Sequence, residues 1–62
     1  MMKEYDFEIQ SLEQLDEFQL FYCEKGLCHV LQTIISIDSY ECEVLETEEI
    51  FYLEIGDKIS LN

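Results

Sequence analysis

Residues 4–9 alternate strictly. Tyr5, Phe7 and Ile9 fall on one side, and Glu4, Asp6 and Glu8 on the other. A period of two marks an extended strand with one dry face and one wet face, because successive side chains of a strand point to opposite sides. The pattern returns where Tyr40, Cys42 and Val44 alternate with Glu41 and Glu43, and where Ile59 and Leu61 alternate with Lys58 and Ser60. A chain patterned this way must lay one face of a sheet on a core, which narrows its options to small β-architectures.

The intervening segments fit that frame. Ser11 followed by Gln14 matches a capping box, and Leu12, Leu15, Phe18 and Tyr22 approximate a helical stripe, so a short helix or helical turn is expected near residues 11–17. A strand is expected at about 18–24, because Phe18-Gln19-Leu20-Phe21-Tyr22 is aromatic and strand-like. Lys25-Gly26 marks a turn into the longest apolar run, Leu27 to Ile37, which reads as a central, largely buried strand. Asp38-Ser39 reads as a turn, Glu46-Thr47-Glu48-Glu49 as a solvated turn, and Gly56-Asp57 as the close of a last hairpin after the apolar residues 50–55. The expected core comprises Phe7, Ile9, Leu20, Tyr22, Val30, Ile34, Val44, Phe51, Leu53, Ile55 and Ile59.

Five or six short strands with short connections predict a mainly β fold in one small domain spanning 1–62. Its form is either a small antiparallel sheet or an SH3-like, partly closed barrel. The closing stretch Leu53-Glu54-Ile55-Gly56-Asp57-Lys58-Ile59 resembles the ending of many small SH3-like barrels, which bears on the fold and not on activity.

Charge sets the functional expectation. Fifteen Asp and Glu stand against three Lys and no Arg, for a formal net charge of -12 in 62 residues. These acids cannot pair off, so most repel one another, at a cost to stability that salt screens. Nucleic acid and anionic membrane are excluded as direct ligands on the same ground. A hydrophobic fraction of 48% is too high for a disordered acidic tail, and no apolar run approaches the roughly 18 residues of a membrane span. Charges in MMKEYDFEIQ occupy the place of a signal peptide's apolar stretch, so a cytoplasmic location is expected.

Cys23, Cys28, His29 and Cys42 are the only concentrated soft ligands. The C-x4-C-H spacing departs from a zinc knuckle, and on a strand Cys28 and His29 point to opposite faces, so no metal or other cofactor is expected. A two-residue Lys25-Gly26 loop would set Cys23 opposite Cys28, and a three-residue Glu24-Lys25-Gly26 loop would set it opposite Leu27. An odd cysteine count favours reduced thiols acting as small apolar fillers. Adjacent Cys28 and His29 cannot converge as a dyad, and no oxyanion-hole signature accompanies them, so no enzymatic activity is expected.

The informative acids are the two rows, Glu4, Asp6 and Glu8, and Glu41 and Glu43. Alternate residues of a strand lie roughly 6.5–7 Å apart, a regular spacing of negative charge like that of a nucleic-acid backbone. These five residues are the expected partner-binding set. The expected partner is a basic protein such as a nucleic-acid-handling enzyme. A small inhibitor or regulator acting as a nucleic-acid mimic, similar in size and charge to small phage proteins, fits this profile. The alternative is a self-assembling accessory domain, at its simplest a homodimer, joined through apolar faces of 27–37 and 50–55.

Overall fold

A computed structural model describes residues 4–61. The fold is mainly β, as the alternation predicts. Its elements are β1 (Phe7–Glu8), β2 (Leu20–Cys23), β3 (Gly26–Ile34), a 3-10 turn (Ile35–Ile37), β4 (Ser39–Val44), β5 (Ile50–Glu54) and β6 (Lys58–Ile59). Strands β2-β3-β4-β5 form a four-stranded antiparallel sheet in sequence order, and β1 pairs with β6 in a two-stranded sheet. One bridge joins the two: Tyr22 and Ser60 exchange both backbone bonds, at 2.7 and 2.9 Å.

The open-sheet alternative is therefore the one realised, and the barrel is not closed. The end of the chain explains why. Gly56 makes the expected turn at φ +98°. The chain then leaves β5, and β6 pairs with β1 instead of completing a hairpin with its predecessor. Ile9 bonds the turn itself, donating to Asp57 O and accepting from Gly56 N, so β1 meets the bend after β5 and not the strand.

The inner face of the large sheet carries the core. Its rungs are Phe21–Cys28–Val44, Val30–Cys42–Phe51 and Tyr40–Leu53, capped by Ile9, Leu15 and Ile59 from outside the sheet. Cys28 and Cys42 are fully buried among these side chains, the filler role read from the sequence. Of the expected core, Ile9, Val30, Val44, Leu53 and Ile59 are buried, and Phe7 and Phe51 pack against it. Leu20 and Ile55 are exposed, and Tyr22 and Ile34 are half-buried. The phase of β2 is the reverse of the expected one. Because Phe21 pairs with buried Cys28, Phe21 turns inward and its neighbours outward.

A bulge at Leu31 sets the other half of β3. Val30 pairs with Cys42, and the next pair is Gln32 with Glu41. Without the extra residue, Gln32 would face the core opposite Tyr40. With it, the amide reaches the outer face and donates to Glu41 Oε1 at 2.8 Å. The expected long strand also ends early, at Ile34. Ile35–Ile37 form the 3-10 turn with Ile35 and Ile37 exposed, and Asp38 turns the chain at φ +53°.

Of the helix or turn expected at 11–17, only a turn forms. One of the two capping-box bonds exists: Gln14 Oε1 accepts from Ser11 N, and from Gln10 N as well, whereas Ser11 Oγ accepts from Glu13 N instead of Gln14 N. The turn stops there because the Tyr40 hydroxyl takes the next bond. In a helix Leu15 N would donate to Ser11 O. Here Tyr40 Oη accepts from Leu15 N and Gln14 N, each at 3.1 Å, and donates to Ser11 O at 3.0 Å. Tyr40→Phe should thus destabilise the fold by roughly 1–3 kcal/mol, the cost of leaving buried backbone groups unpartnered. Urea denaturation checks this, and hydrogen exchange should quicken first at Leu15. Unchanged stability would mean that the loop does not depend on the hydroxyl.

Candidate partner-binding surface

Of the five expected acids, Glu8 lies on the two-stranded sheet, Glu41 and Glu43 lie on the four-stranded sheet, and Glu4 and Asp6 precede β1. Glu4, Asp6 and Glu8 are exposed, as their alternation requires, although only Glu8 lies within the strand β1. Glu8 is paired in register with Lys58, so one end of this row stands beside a cation. Tyr5 and Phe7 are half-buried on the opposite side, with the Tyr5 hydroxyl donating to Cys23 O at 3.3 Å.

Glu41 and Glu43 are on interior strand β4 and are half-buried. Both carboxylates are held by cross-strand partners. Glu41 accepts from Gln32 and, at 3.4 Å, from the Tyr52 hydroxyl. Glu43 Oε1 lies 2.8 Å from His29 Nε2, and since a carboxylate only accepts, the imidazole supplies the proton. These two acids do not form a free row. They are polar pegs that tie β4 to β3 and β5 on the outer face.

Around those pegs the outer face is apolar. Leu20, His29, Glu43 and Ile50 form one rung across all four strands. Leu20 is 52% exposed, Ile50 45% and Tyr52 47%. Phe18 extends this surface: it is 61% exposed, and its ring centroid lies 6.0 Å from that of His29. Its backbone sits at φ +66°, a region costly for a bulky residue, and is held there by Phe18 N donating to Val30 O at 2.6 Å. Alternation did not reveal this surface, because the phase of β2 and the bulge at Leu31 decide which apolar residues face out.

Every other carboxylate is exposed, on loops and strand ends. Among the described residues, one lysine–carboxylate pair forms, Lys25 Nζ to Glu49 Oε2 at 3.0 Å. The hydrogen bond to Glu49 raises the Lys25 pKa above its ordinary value. Glu46 to Glu49 form part of the loop between β4 and β5, the turn expected there, closed by Glu48 N donating to Val44 O. Cys28 and His29 do face opposite sides, and no group of three or more metal-ligating side chains forms among the described residues. No helix among them is long and apolar enough to cross a membrane.

Comparison with protein-family models, curated proteins and solved structures finds no match.

So many unpaired exposed carboxylates should make stability depend on salt. The urea midpoint is expected to rise as sodium chloride increases from about 10 mM to 1 M, over which the Debye length falls from roughly 30 to 3 Å. A midpoint that stays flat or falls would show that self-repulsion is a minor part of the stability of this fold.

Proposed function

We propose that this chain is a non-enzymatic binding module for a basic protein surface, of the kind nucleic-acid-handling enzymes carry, and that it acts there as a small inhibitor or regulator. The observation behind this reading is the surface imbalance: a formal charge of -12 with a single lysine–carboxylate pair among the described residues. Carboxylates without internal partners attract Lys and Arg from outside, speed encounter and select against acidic partners.

The partner-facing acids differ from the five expected from the sequence. Glu4, Asp6 and Glu8 remain available at the surface. Glu41 and Glu43 serve the partner less directly, because their oxygens already bond Gln32, Tyr52 and His29. Their side chains lie on the outer face near Leu20, Ile50 and Tyr52, which supply the apolar anchors that a protein interface needs at its centre.

The test is capture from host lysate at low and high salt, followed by affinity measurements on the protein recovered. Glu4→Lys and Asp6→Lys should each weaken binding by roughly tenfold, about 1.4 kcal/mol, with the fold intact. Glu43→Lys is a poor probe, since it also breaks the bond to His29. Unchanged affinity in both variants would remove the acidic-row mechanism.

Self-assembly is the second reading, and two observations favour it. The outer face exposes Leu20, Ile50 and Tyr52, and β5 pairs only with β4, so its other edge has no strand partner among the described residues. Unpaired edges of this kind accept a further strand. Sedimentation velocity should then give a dimer that Ile50→Lys converts to monomer. A wild-type monomer across a wide concentration range would dismiss this reading.

A further inference from the structure

Cys23 and Cys28 occupy adjacent corners of the β2–β3 hairpin. The connecting turn is Glu24-Lys25, which matches neither expected loop, so Cys23 pairs with Gly26 instead of Cys28 or Leu27, and Cys28 pairs with Phe21. Gly26, at φ +107°, offers no side chain on that rung, and the diagonal neighbour of the Cys23 sulfur is the Cys28 sulfur, 3.7 Å away. The two sulfurs are in van der Waals contact, close enough to react with one another.

Their surroundings are unequal. Cys28 is fully buried, and its Sγ donates to Gly26 O at 3.4 Å. Burial, then the contact with Cys23, push its pKa up to about 12. Cys23 is half-buried and borders a groove of about 520 Å³ lined by Tyr5, Phe51, Lys25, Lys58, Glu24 and Asp57, roomy enough for a small oxidant and edged by charges of both signs. The third thiol, Cys42, is buried with its Sγ 3.6 Å from Tyr40 O.

We propose that Cys23 and Cys28 are a peroxide-oxidisable dithiol, with Cys23 the attacked sulfur and Cys28 the resolving one. The Cys23 thiolate attacks one oxygen of hydrogen peroxide, the O–O bond breaks, and the leaving hydroxide takes a proton and departs as water. Cys23 is left as a sulfenic acid. The Cys28 sulfur then attacks the Cys23 sulfur, the S–O bond breaks, and the hydroxide departs with the Cys28 proton as a second water. Two thiols are oxidised by two electrons in all, and one peroxide is reduced. The resulting bridge staples the hairpin at the edge of the groove, and a thiol reductant reopens it. The inference stands on the sulfur contact and the groove, independently of the acidic-surface reading.

Trypsin supplies the test, because Lys25 lies between the two cysteines and the next lysine is Lys58. The reduced full chain is treated with one equivalent of hydrogen peroxide, alkylated and digested. The fragments 4–25 and 26–58 should remain linked, with Cys42 alkylated, and should separate on reduction. Cys42→Ser should give the same linkage, and Cys23→Ser should abolish it. In Cys28→Ser the reaction should stop at a sulfenic acid on Cys23 that dimedone captures. The proposal is overturned if Cys23 proceeds to sulfinic acid while Cys28 stays alkylatable, or if the bridge involves Cys42. Bridges that form only between chains, or a Cys28→Ser variant that yields no dimedone adduct on Cys23, also overturn it.

Discussion

One phenolic hydroxyl pins the loop between β1 and β2 to the four-stranded sheet. Tyr40 is fully buried at the start of β4, and its oxygen serves Ser11, Gln14 and Leu15, some 25 to 29 residues earlier. Without it the Gln14 and Leu15 amides would lose their acceptor, and a buried group left unpartnered costs about 1–3 kcal/mol. Once the loop is pinned, Leu15 enters the core and the acids Glu13, Asp16 and Glu17 stay at the surface. The loop's far end, Phe18, is then held in its left-handed conformation by Val30. Local helix preference loses because a buried tyrosine offers the same backbone groups a better-shielded partner.

A core built on one face of one sheet has a consequence for the other face. The molecule measures 37 × 24 × 15 Å, and its thin dimension leaves room for a single core layer, since packed sheets lie about 10 Å apart. Apolar residues beyond those that fill the inner rungs are displaced outward, to Leu20, Ile50 and Tyr52. Glu41 and Glu43 sit among them with their oxygens bonded to Gln32, Tyr52 and His29, and this keeps half-buried carboxylates from destabilising the sheet.

Alternation and two apolar runs made most of the strands legible: alternation placed Ile9, Val44 and Ile59 in the core, and the runs placed Val30 and Leu53 there. It failed where neighbouring apolar residues left the phase undecided. In Leu20-Phe21-Tyr22 each residue suits either face, and only the pairing of Phe21 with Cys28 decides between them. The helical option at 11–17 failed for a different reason: its competitor, Tyr40, is far away in sequence, so no local pattern reports it. The acids at 4, 6 and 8 were legible because a wet strand face needs no partner. Those at 41 and 43 look identical in sequence, and they differ only because His29, Gln32 and Tyr52 lie on adjoining strands. The thiol contact lay within reach of hairpin geometry, but the turn Glu24-Lys25 set a register two residues away from the one that would have put the cysteines face to face.

The two functional readings place opposite demands on the same charge. Joining two copies brings together two bodies of formal charge -12, so repulsion opposes the dimer and salt favours it by screening. Joining a basic partner releases the same repulsion, because foreign Lys and Arg supply what Lys25 and Lys58 do not, and salt weakens that complex. The apolar anchors Leu20, Ile50 and Tyr52 serve either complex and respond little to salt. The sign of the salt dependence therefore reports which surface drives association. On the self-assembly reading the apolar face joins two copies best at high ionic strength, whereas on the basic-partner reading the complex is tightest at low ionic strength.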